Sequence, residues 1–337
     1  MIIEVDKKAD AGAIAALCDS LAARDAVTAW PVSVGGRRFV AVSGDEAWVP
    51  DIDATIVVGR HSTNARGYWL VDRANGVVPS TVNVGGTPVG RGPLWCAAGP
   101  CALESFEDAV ATGQAVRQQG AHALRIGIFK PRTSPYNFQG KQGPGVKLLP
   151  ELKAAVGLPV VTEVLDPRDV GSIAEVADCL QVGTRNMTNQ ALLKELGRAK
   201  RPVLLKRGYR TPVEEWLRAA EFIVVHGNPE VILCARGIIS FDTSLRFMPD
   251  LGAVLAARER TDLPVVFDPS HSAGRADAVS QVAVAAAAFG VDGLLIEAHV
   301  APQRMYQPGD GGQAYDPVKI SSLMATCAAV RETAAGL

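Results

Sequence analysis

From about Leu94 onward, eight short apolar, β-favouring runs alternate with stretches of helical apolar spacing, and this alternation restricts the fold more than any other feature. The runs fall at 95–98, 123–128, 159–162, 180–182, 202–205, 230–233, 263–267 and 293–296, with helical stretches such as 106–119, 189–196, 213–226 and 276–289 between them. Continuous apolar strands separated by helices belong to a parallel sheet covered on its outer face. Eight such units within residues 93–337 predict an α/β fold, a closed (β/α)8 TIM barrel, whose usual length is about 250 residues. An open doubly wound sheet is the rival, but the first run leads into Gly99-Pro100-Cys101 and not into a GxGxxG turn. The last helix is expected to start at Asp316 as N-cap with Pro317 in the first helical position and to run to about Ala335. Its feeder, 301–315, is Gly-rich and polar and reads as a loop over the barrel mouth.

The first 75 or so residues differ in texture. An apolar start at Ile2-Ile3, a helical stretch over 11–23 and a turn at Gly35-Gly36 predict a small α+β module. Residues 76–92, rich in Gly, Pro, Asn and Val, suit a linker or a short hairpin ahead of the barrel at 93–337.

Charge and cysteine usage exclude several function classes. A formal net charge of -1 over 337 residues provides no field for nucleic acid or an anionic membrane, so an anion site must be a local cluster. No apolar stretch reaches the roughly 20 residues of a membrane helix, and the start lacks a basic region followed by an apolar signal segment, which makes the cytoplasm the expected compartment. The six cysteines contain no CxxC pair, and Cys96, Cys179 and Cys234 lie in or beside apolar runs, where a thiol packs as a small hydrophobe.

The chemistry gathers where the apolar runs end. Cys101 follows the first run, His271 the seventh, Glu297 ends the eighth, and Asp310 lies in the final loop. In a barrel these positions share one face, and a thiolate, an imidazole and carboxylates together suit Mn, Fe, Co or Zn better than Mg. Cations are distributed in the same way: Arg125 and Lys130 near the end of the second run, Arg185 after the fourth, Lys206 ending the fifth and Arg236 after the sixth. Converging Arg and Lys describe an anion pocket. A second anion site is indicated by Lys130-Pro131-Arg132-Thr133-Ser134, where Arg132 and two hydroxyls can face one phosphate. One metal and two phosphate sites suit an enzyme that joins two phosphorylated molecules.

At these residues the chain resembles the class I (beta subtype) 3-deoxy-D-arabino-heptulosonate 7-phosphate (DAHP) synthases, in the branch close to the 3-deoxy-octulosonate 8-phosphate synthases. The resemblance covers roughly residues 93–330 and rests on FKPRTSPYNFQG at 129–140, LLKRG at 204–208 and DPSHSAG at 268–274. It implies a metal-dependent transferase that condenses phosphoenolpyruvate with erythrose 4-phosphate and releases phosphate, the entry to aromatic amino acid synthesis by the shikimate pathway. It further implies that Cys101, His271, Glu297 and Asp310 hold the divalent metal. Arg125 and Lys130 would face the phosphoenolpyruvate carboxylate, and Arg185, Lys206 and Arg236 its phosphate. Arg132, Thr133 and Ser134 would take the aldehyde phosphate, while Lys130, Cys101 and His271 form the catalytic group, with Lys130 shuttling a proton. KPRTS stands where the octulosonate enzymes carry a KANRS-like stretch, which favours erythrose 4-phosphate over arabinose 5-phosphate.

The chain also departs from the family's pattern. Ile126 stands in place of a Gly, Ala235 of a Glu and Ile239 of an Arg, and Leu245-Arg246-Phe247 replaces Thr-Arg-Asn. These changes predict a more apolar pocket wall, and keep open a related synthase that takes a different aldehyde. A third reading is an inactive barrel that serves as a binding or regulatory partner. The N-terminal module resembles the ferredoxin-like regulatory domain of some members, which implies an aromatic amino acid effector, against a plain structural or oligomer-forming role. The family implies a homo-oligomer, dimer or tetramer.

Overall fold

The computed structural model describes residues 1–44, 55–132, 134–306 and 312–336. At its start, β1 (Ile2–Val5), α1 (Ala11–Ala22), β2 (Thr28–Val34), β3 (Arg37–Ser43) and β4 (Val57–His61) form a module whose antiparallel sheet has the ferredoxin-like order β2-β3-β1-β4. Asp10 caps α1 by accepting the Ala13 N–H at 2.7 Å. Gly35 and Gly36, at φ +58° and +73°, make the two-residue turn between β2 and β3. The period of two along the strands separates two faces: Ile3, Val5, Val40 and Val42 pack on Ile14, Leu17 and Leu21 of α1, while Ile2, Val32, Val34, Phe39 and Ala41 join the main core.

Residues 81–90 form an ordered hairpin of β5 (Thr81–Val84) and β6 (Thr87–Gly90). Its Val82, Val84 and Val89 pack with Trp95, Val161, Leu204, Ile232 and Leu295 inside the barrel. A Cβ on Gly85 would lie 2.3 Å from Pro159, which directly precedes a barrel strand, so the hairpin plugs the end at which the strands begin.

The eight expected strands all form. They are β7 (Trp95–Gly99), β8 (Ala123–Arg125), β9 (Val160–Val164), β10 (Cys179–Val182), β11 (Val203–Lys206), β12 (Val231–Ala235), β15 (Val265–Phe267) and β16 (Gly293–Glu297), and they close into one barrel of parallel pairs. Closure is the β16–β7 ladder, in which Gly293 pairs with Trp95 and Glu297 with Gly99. The helices α2 (Phe106–Gln118), α3 (Gln142–Val156), α4 (Val170–Val176), α5 (Gln190–Arg198), α6 (Val213–Val224), α7 (Gly252–Arg260), α9 (Ala276–Ala288) and α10 (Ile320–Ala335) follow the strands, and a five-residue α8 (Pro269–Ala273) intervenes after β15. The excursion from β12 to α7 carries two short strands, β13 (Gly237–Ile238) and β14 (Met248–Pro249).

The module is held on α6. Glu221 accepts the N–H groups of Trp69, Leu70 and Val71, each at 3.0 Å, and Trp30 Nε1 donates to the Val225 carbonyl at 2.9 Å.

Two boundaries differ from the sequence reading. The run at 123–128 stays in the sheet only to Arg125, because Gly127 turns onto the loop after β7, its carbonyl accepting the Leu103 N–H at 2.8 Å. Asp316 does cap the last helical segment, accepting the Val318 N–H, but its first turn, Pro317–Lys319, is 3-10 before the α-helix begins. All six cysteines are free, and among the described residues no helix is long and apolar enough to cross a membrane.

Candidate functional site

The ends of β7, β15 and β16 bring three donor groups together. Gly99 closes β7 at φ +150°, and a Cβ there would sit 2.5 Å from the Arg125 carbonyl oxygen, so a glycine is needed for the chain to turn towards Cys101. After β15, Asp268 caps α8 with Oδ1 on the His271 N–H at 2.9 Å, and Pro269 fits the first helical position. The same carboxylate places Oδ2 at 2.8 Å from His271 Nδ1 and 2.5 Å from Lys206 Nζ. An Nδ1–H given to Asp268 would leave Nε2 as the ring nitrogen that can ligate a metal. It lies 3.4 Å from Cys101 Sγ and 3.3 Å from Glu297 Oε2, and donor atoms of all three residues lie within 4.8 Å of one another. Glu297 is 1% exposed, and its own N–H is fixed on Ser270 Oγ at 2.9 Å.

Electrostatics prepare this corner for a cation. Burial and Glu297 push the Cys101 thiol up, but Lys130, Arg125 and His271 outweigh them and lower it to about 6. Cys96 and Cys234, buried without such neighbours in sufficient strength, are pushed up to about 12. Although burial opposes it, Asp268 is held well below the usual carboxylate range by His271, Lys206 and Arg236. A cysteine sulfur, an imidazole nitrogen and a carboxylate oxygen in one polar corner match the donor set of a borderline divalent metal.

Next to this corner a cleft of about 230 Å³ is lined by Arg125, Lys130, Arg132, Arg185, Lys206 and Arg236. Arg125, Lys206 and Arg236 are each 4% exposed. Arg125 Nη1 and Arg236 Nε are buried N–H groups without a hydrogen-bond acceptor among the described residues. Arg236 is fixed by Nη1 on Thr184 Oγ1 and Nη2 on the His271 carbonyl, at 3.2 and 3.0 Å, and its guanidinium lies over the stacked rings of Tyr209 and Phe247. Buried guanidinium groups with spare N–H donors call for an anion.

Of the sequence-derived set, Cys101, His271 and Glu297 meet as expected, and Arg125, Lys130, Arg132, Arg185, Lys206 and Arg236 share the cleft. Ser134 sits on the same loop as Arg132 but does not line the cleft. Thr133 and Asp310 lie outside the described residues.

The sequence reading missed Glu163, Gln181, Tyr209 and Gln313, all cleft-lining, and named Arg246, which also lines the cleft, only within the altered stretch Leu245-Arg246-Phe247. Glu163 is the informative one. Burial raises its carboxyl despite Lys206, Lys130, Arg125 and Arg185, and a Cβ on Gly183 would come within 1.8 Å of its Oε1. The acidic end of Val160-Val161-Thr162-Glu163 was the available signal.

Among the described residues, these departures do not line the cleft with the expected apolar wall. Ile126 and Ala235 belong to the core between barrel and helices, because alternation turns them away from their neighbours Arg125 and Arg236. Ile239 is 45% exposed and outside the cleft, and Phe247 does not line the cleft itself but backs its Tyr209, Arg236 and Arg246.

Residues 81–333 match the family model of the DAHP synthetase I family. Over 285 residues, 83% of each chain, the sequence is 40% identical to the phospho-2-dehydro-3-deoxyheptonate aldolase of Thermotoga maritima. It is 32% identical over 228 residues to the 2-dehydro-3-deoxyphosphooctonate aldolase of Acidithiobacillus ferrooxidans, covering 62% of this chain and 80% of that one. The crystal structure of the Thermotoga maritima enzyme superimposes with a TM-score of 0.75 at 32% identity, covering 98% of this chain and 96% of that one. A truncated form of the Thermotoga maritima synthase covers 80% of this chain and 97% of its own, with a TM-score of 0.70. The three-donor corner, the cleft of cations and these likenesses agree, and the chain belongs to the DAHP synthetase I family.

Proposed function

We propose that this protein condenses phosphoenolpyruvate with erythrose 4-phosphate, giving DAHP and inorganic phosphate. The observation that carries the reading is the pair of acceptor-less buried N–H groups, on Arg125 and Arg236, in a cation-lined cleft that opens beside Cys101, His271 and Glu297. Arg125 and Lys130 hold the phosphoenolpyruvate carboxylate, and Arg185, Lys206 and Arg236 its phosphate. Arg132, with Thr133 and Ser134 of its loop, takes the phosphate of the aldehyde. Cys101, His271 and Glu297, joined by Asp310, would hold Mn, Fe, Co or Zn, which supplies Lewis acidity at the aldehyde oxygen when bound.

The remaining work falls to the chain. The arginines fix phosphoenolpyruvate with C3 towards the aldehyde carbon, and Lys130 gives a proton from Nζ to the aldehyde oxygen as the carbon–carbon bond forms. Water adds at C2 as a proton returns to Lys130, and the resulting phosphohemiketal expels phosphate into the grip of Arg185 and Arg236, the C2 hydroxyl proton leaving on the phosphate as the ketone forms. The ferredoxin-like module is proposed to take an aromatic amino acid effector, and the assembly to be a dimer or tetramer.

The outward direction of Ile126 and Ala235 supports erythrose 4-phosphate over a different aldehyde, since the cleft keeps the polar lining the reaction needs. The test is phosphate release from phosphoenolpyruvate by chelator-treated protein, with and without manganese, offering erythrose 4-phosphate, arabinose 5-phosphate, ribose 5-phosphate and unphosphorylated aldehydes separately. Manganese-dependent turnover with erythrose 4-phosphate is expected. Turnover only with another aldehyde would move the enzyme to a related synthase, and none with any would leave a binding protein.

A further inference from the structure

Gln313 is the least exposed polar side chain of the cleft, at 1%, and both ends of its amide are used. Its Nε2 donates to Glu297 Oε2 at 2.6 Å, the same oxygen that faces His271 Nε2 at 3.3 Å. Its Oε1 accepts from Arg246 Nη1 at 2.8 Å. A carbonyl against a guanidinium and an NH2 against a carboxylate is the only orientation of this amide that satisfies both neighbours, so Arg246 dictates which end reaches Glu297.

The backbone on both sides is fixed for this purpose. Tyr315 donates its N–H to the Glu297 carbonyl at 2.7 Å and its residue bridges Ala298, which sets the register of the segment that carries Gln313. Arg246 and Phe247 donate their N–H groups to the carbonyls of Ala273 and Ser272 at 3.1 and 3.0 Å, at the end of the short helix that presents His271. Gly274, at φ +71°, leaves room for the Arg246 stem, since a Cβ there would lie 2.3 Å from the Arg246 Cβ. The Phe247 ring in turn lies under Arg236 at 4.4 Å.

We propose that Gln313 and Arg246 are positioning residues for the metal corner: Arg246 orients the Gln313 amide, and Gln313 holds the Glu297 carboxylate with Oε2 towards Cys101 and His271. The inference rests on the reading of Cys101, His271 and Glu297 as metal ligands. A carboxylate free to turn would present its oxygen to the ion only part of the time, and loss of such outer partners weakens metal binding by about 10–100-fold.

The test is Mn²⁺ affinity of the chelator-treated full chain, followed by the paramagnetic resonance signal of the free ion and by protection of Cys101 from alkylation. Gln313→Met should weaken Mn²⁺ binding by about 10–100-fold, and Arg246→Met by less in the same direction. The double variant should bind no worse than Gln313→Met alone, because both act through one chain of contacts. Gln181→Met, another buried cleft amide but one bonded to Glu163, should leave the affinity unchanged. Arg246 is exposed, so Arg246→Met is expected to fold and carries the test should Gln313→Met not fold. Wild-type affinity in both single variants, or additive losses in the double variant, would overturn the proposal while leaving the metal reading in place. A wild-type chain that takes up no divalent ion would overturn both.

Discussion

The two ends of the barrel are made from the same eight strands and have opposite chemistry. Where the strands begin, Val82, Val84 and Val89 of a hairpin fill the interior against Trp95, Val161 and Leu295, leaving an apolar plug. Where they finish, Arg125, Lys206, Arg236, Asp268 and Glu297 are buried together, with N–H groups that lack an acceptor. Burying polar groups costs stability unless they are paired, so the apolar end must supply cohesion that the polar end withholds. Substitutions at the two ends should therefore separate stability from catalysis.

The largest separation is expected between His271 and Trp95. His271→Ala removes the Nε2 donor and should lower metal-dependent phosphate release by on the order of 10³-fold or more, since loss of an outer partner alone costs about 10–100-fold. The melting temperature of its metal-free form should stay close to wild type. Trp95→Ala empties a side chain that is 1% exposed and should lower unfolding stability by about 3–5 kcal/mol, with phosphate release per folded molecule kept. Urea unfolding together with active-site-normalised rates measures both. A His271→Ala chain that no longer folds, or a folded Trp95→Ala chain that no longer turns over, breaks the division.

Arg236 is next. It is 4% exposed, rests on two rings and has one N–H without an acceptor, so its charge serves a ligand more than the fold. Arg236→Met should lower kcat/KM for phosphoenolpyruvate by about 10²-fold. Arg236→Lys should recover only part of this, because the planar fork is lost. Steady-state kinetics with phosphoenolpyruvate varied decides it; equal effects of the two variants would remove the fork from the account.

The cysteines sharpen the same contrast by pH. The Cys101 thiol is lowered to about 6 and that of Cys234 raised to about 12. A depressed thiol pKa means that thiolate is present above about 6, so alkylation of Cys101 in chelator-treated protein should be half-maximal there and fade below it. Cys234, on the same barrel but walled in, should stay unmodified until the chain unfolds. Mass spectrometry of iodoacetamide-treated protein across pH reads both sites at once, and added manganese should protect Cys101 alone.

Much of this division was legible in the sequence. Barrel strands are covered on both faces, so they read as uninterrupted apolar runs, and the residue where a run stops is where a side chain can meet the mouth. That logic reaches Cys101, Lys206, His271 and Glu297 directly. It fails where the partner is set by tertiary approach: Gln313 and Arg246 mean little until the fold brings them to Glu297, and 81–90 reads as a linker or short hairpin with no sign that its valines fill the barrel floor. It also misleads about Ile126 and Ala235, since a departure beside a functional arginine reads as a change of pocket although alternation sends it to the other side.

Ile239 gives the smallest expected effect and asks whether every unusual residue at the polar end matters. Its N–H is fixed on the Tyr209 carbonyl at 3.0 Å, while its side chain is 45% exposed and outside the cleft. Restoring the family's arginine, Ile239→Arg, adds a solvated cation on a loop and should change stability by no more than about 0.5 kcal/mol. Preference among aldehydes should stay within about twofold, because a charge in water at that distance is screened. Competing erythrose 4-phosphate against arabinose 5-phosphate in one reaction measures the preference directly. A tenfold shift would mean that the loop after β13 closes onto the aldehyde during turnover, and that the polar end extends beyond the cleft seen in the resting chain.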